Sequence, residues 1–99
     1  RTSLSSKGFK RDPDVTAYVL NESKGKCENC GTAAPFLRVK DNSFYLEVHH
    51  IRRLADEGSD KPQNAIAVCP NCHREFHYGA NKESLEEAIY SKISRLIKE

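Results

Sequence analysis

Apolar side chains first gather at Val15, Tyr18 and Val19, directly after Asp12 and Pro13. That spacing predicts a short helix with one buried face, an N-capping carboxylate and a proline in its first turn, with Gly25 ending it. Further on, the apolar residues alternate instead: Phe44, Leu46 and Val48 against Tyr45, Glu47 and His49. With FLRVK on the other side of Asp41 and Asn42, they predict a two-strand hairpin whose second strand runs into His49 and His50. Ile51 to Gln63 holds Gly58, Ser59, Asp60 and Pro62 and reads as an exposed loop. Asn64 then opens AIAVC, a short buried strand, and a short helix carries His73 and His77 as far as Gly79. Near the end, Ser84 and Glu87 form a capping-box pattern, and Leu85, Ala88, Ile89, Leu96 and Ile97 recur at helical spacing up to the C-terminus. Residues 1–11, RTSLSSKGFKR, have no periodicity and read as a flexible arm or linker remnant ahead of one domain, 12–99.

Composition makes this domain short of core. A chain of 99 residues buries little more than ~60% of its unfolded surface, and hydrophobic residues make up only 37% of it. A small domain in that position usually needs a disulfide or a structural metal, which directs attention to the four cysteines. No apolar run is long enough to span a bilayer and no signal-peptide pattern is present, so the expected location is the cytoplasm. The chain starts at Arg1 without methionine, as a fragment of a longer protein would. Sixteen basic and 14 acidic residues give a net charge of +2, too small to identify a polyanionic partner by itself. The position of Arg52, Arg53 and Arg74 beside the histidines carries more information than the total.

The cysteines form two pairs, Cys27-x2-Cys30 and Cys69-x2-Cys72, with 38 residues between them. A pair at that spacing grips one side of a tetrahedral zinc, and two pairs fill the shell and leave no open position, the arrangement of a structural site. Such binding is coupled to folding and is worth ~10 to 16 kcal/mol in small zinc peptides. Two disulfides, or one redox dithiol, are the competing uses of four cysteines. Neither suits two matched knuckles in a chain with no sign of secretion.

Assigning the cysteines to one zinc leaves His49, His50, His73 and His77. His73 and His77 are four apart on a predicted helix, so they project from one face. Cys72 lies about 100° around that helix from His73 and points elsewhere. A single Cys2His2 zinc of Cys69, Cys72, His73 and His77 would orphan Cys27 and Cys30 and lacks the usual linker between its halves. His49 and His50 are strand neighbours with diverging side chains, so one can join His73 and His77 on an ion while the other faces a substrate. Three histidines leave coordination positions open, as in a catalytic metal site.

EVHHI, then Asn64 opening NAIAVCPNCHREFHYG, resembles the His-Asn-His (HNH) endonucleases, in the subgroup that adds a four-cysteine zinc. The similarity covers Cys27 to Gly79. KGKCENCG, APF and YLEVHHI are further similar to the C-terminal nuclease domain of McrA-like, modification-dependent restriction enzymes. The resemblance implies an α+β chain with the small ββα-metal fold, a structural zinc knuckle pair and flanking N- and C-terminal helices. It implies that His50 is the general base, that Asn64 fixes the loop and the base, and that His49, His73 and His77 hold the catalytic ion. Relatives often have aspartate where His49 stands, and histidine makes the ligand set softer, from Mg2+ toward Mn2+, Co2+, Ni2+ or Zn2+. Gly58 stands alone in a loop where many relatives have two glycines. The implied activity is metal-dependent hydrolysis of phosphodiester bonds in double-stranded DNA, with Arg52, Arg53 and Arg74 as phosphate contacts, a separate N-terminal DNA-recognition domain, and room for a homodimer. The alternative is a non-catalytic zinc module that binds nucleic acid or protein, against which the surplus of histidines argues.

Overall fold

The computed structural model describes residues 11–99, so all of the expected arm except Arg11 lies outside the described residues. Helix α1, Pro13–Ser23, starts where Asp12 accepts a hydrogen bond from the Asp14 N–H at 2.9 Å. It stops as Lys24 turns left-handed at φ 55° and Gly25 follows at φ 81°. A side chain at Gly25 would also press its Cβ to 2.9 Å from the Phe44 ring. The inward face carries Val15, Val19 and Leu20, whereas Tyr18 is 50% exposed. Tyr18 sits one helical step around from Val19, where its phenol meets water.

The sheet departs from the expected hairpin. Its two strands are β1, Glu47–His50, and β2, Ala65–Val68, paired antiparallel with Glu47 opposite Val68 and His50 opposite Ala65. FLRVK contributes a single bridge, Leu37 with Phe44, above a turn in which Asn42 has φ 60°. Pairing with FLRVK is limited to the Arg38 N–H on Ser43 O at 2.7 Å and the Tyr45 N–H on Phe36 O at 2.9 Å, while the Arg38 guanidinium bonds the Phe44 and Leu46 carbonyls at 2.7 and 2.9 Å. The predicted alternation fails at Phe44, which is 56% exposed, and at His49, which is buried, and holds at Leu46, which is buried.

Strand β2 is buried along its whole length, as the continuous apolar run requires. Around it, Val19, Leu46, Ile66, Val68, Phe76 and Ile89 are fully enclosed. A side chain such as Phe76 contributes about 2 to 3 kcal/mol when it leaves water. Helix α2, Pro70–Tyr78, packs on β1 and carries Phe76 into this core.

Helix α3, Lys82–Lys92, begins two residues before the capping box expected at Ser84, with Asn81 at its N-cap and no side-chain cap bond. It also ends before the predicted C-terminus. Ile93 is extended, Leu96 still reaches the core from beyond the helix, and Ile97 is 60% exposed while its N–H bonds the Gln63 carbonyl. The tail turns back because Arg95 reaches the Pro62 and Ala65 carbonyls and pairs with Glu28 at 2.9 Å.

The loop after β1 is more ordered than its composition suggests. It contains 3-10 turns at Leu54–Asp56 and Pro62–Asn64, and Ile51 is buried. Gly58 lies so near the backbone that an added Cβ would stand 2.0 Å from the Arg52 carbonyl oxygen. No helix among the described residues is long and apolar enough to cross a membrane.

Candidate metal centres and active-site cleft

The Cys27–Cys30 turn is closed by Gly31 N–H bonding Cys27 O at 2.9 Å, and Cys27 N–H bonds Thr32 O at 2.8 Å. The second pair is placed by α2, with Cys69 as N-cap and Cys72 one turn in, so the Cys72 N–H faces the Cys69 Sγ at 3.5 Å. The four thiols are unpaired and their Sγ atoms lie within 4.8 Å of one another. Tetrahedral zinc, with Zn–S near 2.3 Å, needs sulfurs about 3.8 Å apart. This cluster is therefore positioned for zinc. Burial pushes the Cys69 and Cys72 thiols up, while the Thr32 hydroxyl beside Cys30 pulls that thiol down to about 6. Buried thiols that resist ionisation by themselves are the groups a bound cation deprotonates.

His49, His73 and His77 form the second cluster, with one ring nitrogen from each within 4.8 Å of the others. His49 comes from the end of β1, stacked on Phe76, and its Nε2 is buried with no hydrogen-bond partner among the described residues. His73 Nδ1 lies 2.8 Å from Glu47 Oε1, and Glu47 Oε2 accepts from the Tyr45 hydroxyl at 2.5 Å. Because a carboxylate only accepts, the His73 proton sits on Nδ1 and the Nε2 lone pair points to His77 Nε2, 3.3 Å away. Glu47 itself is held below the usual carboxylate range, first by the Tyr45 hydroxyl and then by His73. Burial, followed by the charges of His73 and His77, pushes His49 down to about 3, and burial with His73 lowers His77. The cluster thus gathers three imidazoles around an orphaned nitrogen, with a carboxylate orienting one of them. That donor set fits a divalent transition metal.

His50 leaves β1 on the other side. Its Nε2 lies 2.8 Å from Asp60 Oδ1, and the Asp60 Oδ2 accepts the Asp12 N–H at 2.7 Å. Asn64 is fully buried and binds the loop at both ends: its Oδ1 accepts from Arg52 N–H, and its Nδ2 donates to the Arg52 and Ser59 carbonyls, all at 2.8 to 2.9 Å. One cleft of about 170 Å³ is lined by all four histidines together with Arg11, Arg53 and Leu54. Arg53 is paired with Asp56 at 2.9 Å, Arg52 Nε bonds the Asp56 carbonyl, and Arg74 is exposed on α2.

The arrangement brings together the sequence-predicted residues as two disjoint sets, cysteines on one side of α2 and histidines on the other. Sequence reasoning missed Glu47 and Asp60, which bond His73 and His50, and Arg11, which lines the cleft. For Glu47 a signal existed, since it precedes His49 by two strand positions and shares its face. Asp60 gave none, because an aspartate in a Ser-Asp-Lys-Pro loop is an ordinary turn residue.

The HNH endonuclease family model matches residues 27–79, more than half of the chain and the segment holding every ligand of both clusters. The chain belongs to the HNH endonuclease family. It is 51% identical over 92 residues to the type IV methyl-directed restriction enzyme EcoKMcrA of Escherichia coli (strain K12), covering 93% of this chain and 33% of that protein. Among solved structures, it superimposes on the type IV phosphorothioation-dependent restriction endonuclease ScoMcrA with a TM-score of 0.77 and 34% identity, over 96% of this chain and 20% of that one. The modification-dependent TagI restriction endonuclease matches with a TM-score of 0.58 and 33% identity, over 71% of this chain and 24% of that one. This HNH chain therefore spans about a third or less of the length of these relatives.

Proposed function

We propose that this HNH chain, residues 12–99, is the DNA-cleaving module of a modification-dependent restriction enzyme that works inside the cell. The observation that carries the reading is the shared cleft, where His50 stands beside the three clustered histidines while the four cysteines gather in a separate group. His49, His73 and His77 would hold one divalent ion from the Mg2+, Mn2+, Co2+, Ni2+ and Zn2+ group, and Cys27, Cys30, Cys69 and Cys72 would hold a structural Zn2+. The ion, when bound, supplies Lewis-acid stabilisation of negative charge on the scissile phosphate and on the departing 3′ oxygen.

The chain's own residues do the rest. His50 takes a proton from a water as its oxygen attacks phosphorus, and the bond to the 3′ oxygen breaks, leaving a 5′-phosphate. Asn64 keeps the loop closed under His50 by holding Arg52 and Ser59. Arg52, Arg53 and Arg74 line the approach for the DNA backbone, which such contacts position without reading sequence. Arg53 would exchange Asp56 for phosphate at little cost, since the pair is exposed. Recognition of a modified base or backbone belongs to other parts of a longer protein, and nicking by this module has little sequence preference of its own. A homodimer would place two such clefts on one duplex.

His50→Ala is expected to lower nicking of supercoiled plasmid by about 100-fold or more while zinc content and circular dichroism stay at parent values. Nicking at the parent rate would remove His50 from the chemistry and favour a non-catalytic zinc module.

A further inference from the structure

We infer that Asp60 is a positioning residue for His50, holding the imidazole in the one tautomer that can accept a proton from water. The inference rests on the reading of His50 as general base. His50 Nε2 lies 2.8 Å from Asp60 Oδ1. A carboxylate has no proton to give, so the shared proton resides on Nε2 and the lone pair is left on Nδ1. Nδ1 takes no hydrogen bond among the described residues, and His50 lines the cleft.

Asp60 can perform this task because it is itself held from two directions. Its second oxygen accepts the Asp12 N–H at 2.7 Å, at the residue that caps α1. The preceding residue is held through the Ser59 carbonyl, which accepts from Asn64 Nδ2 at 2.8 Å. Burial pushes the Asp60 carboxyl up, but the Asp12 N–H and the His50 ring outweigh it and, with Arg11, bring it below the ordinary value. It is therefore a carboxylate at neutral pH. The buried asparagine fixes the loop, the loop carries the carboxylate, and the carboxylate orients the base. An aspartate placed behind a catalytic histidine does the same in serine proteases, where the asparagine variant keeps the geometry and loses the tautomer.

The test compares the parent chain, Asp60→Asn, Asp60→Glu and His50→Ala, each purified with its zinc. Plasmid nicking gives kcat and KM, and 15N shifts of labelled histidine at mildly alkaline pH give the tautomer of neutral His50. Asp60→Asn is expected to lower kcat about 10- to 100-fold, with KM within about twofold, and to convert the single Nε2–H tautomer to a mixture. Asp60→Glu, which restores the acceptor one methylene further out, is expected to recover part of both signals. Parent kcat in Asp60→Asn alongside an inactive His50→Ala would overturn the inference, and so would a loss of kcat with the tautomer unchanged. Parent activity in His50→Ala would instead overturn the general-base reading on which it rests.

Discussion

His49 and His50 are consecutive in sequence and separate in chemistry. Strand geometry sends one ring toward Phe76, His73 and His77 and the other toward Asp60, so a single peptide unit supplies a candidate metal ligand and a candidate base. This division was readable in advance, because histidine and cysteine announce their chemistry by identity and spacing. Their carboxylate partners were not, since Asp and Glu are everywhere on a surface and only the fold shows which one meets a ring. Asp60 also has a thermodynamic signature. Its carboxyl is lowered in the folded state from an ordinary 3.8, so below that value the unfolded chain binds the proton more readily. The stability it contributes is therefore present above pH 3.8 and lost as pH falls below it. Urea unfolding of the parent and Asp60→Asn from neutral pH to pH ~3 is expected to show a stability gap that narrows through this range. A gap of constant size would separate the effect from the carboxylate.

Helix α2 is the element on which both centres depend. Its N-cap is Cys69, its first turn holds Cys72 and His73, and its last turn holds His77, so one nine-residue helix orients two thiols and two imidazoles. The 100° step between Cys72 and His73 was enough to predict that separation. Elsewhere local pattern misled, for identifiable reasons. The FLRVK hairpin shrinks to a single bridge, Leu37 with Phe44, and the strand that continues into the histidines pairs with Ala65–Val68 instead. The Ser84 capping box is displaced because the chain already turns at Asn81, and the periodicity of Leu96 and Ile97 continues past the true helix end by chance of spacing. The loop between β1 and β2 looked open from its polar residues, yet Asn64 and Gly58 close it. Gly58→Ala is expected to cost about 1 to 3 kcal/mol, because its Cβ would meet the Arg52 carbonyl at 2.0 Å. Chemical denaturation measures this, and an unchanged midpoint would mean that the loop adjusts freely.

At the size of the whole chain, the two centres divide the work of a domain with little core. Burial is concentrated on β2 and a few large side chains, and the Cys27–Cys30 turn is joined to the rest through Glu28, whose carboxylate accepts from Ala67 N–H and Arg95. Zinc at the cysteines would lock that turn to α2 and thereby fix the direction of His73 and His77. The histidine cluster reaches from the buried His49, stacked on Phe76, to the exposed His77 at the cleft. Metal content after dialysis therefore distinguishes this arrangement from a single mixed finger. For His77→Ala, one tightly held zinc per chain is expected to remain while a second, exchangeable divalent ion is lost. Release of the tightly held zinc by that substitution would contradict two separate centres.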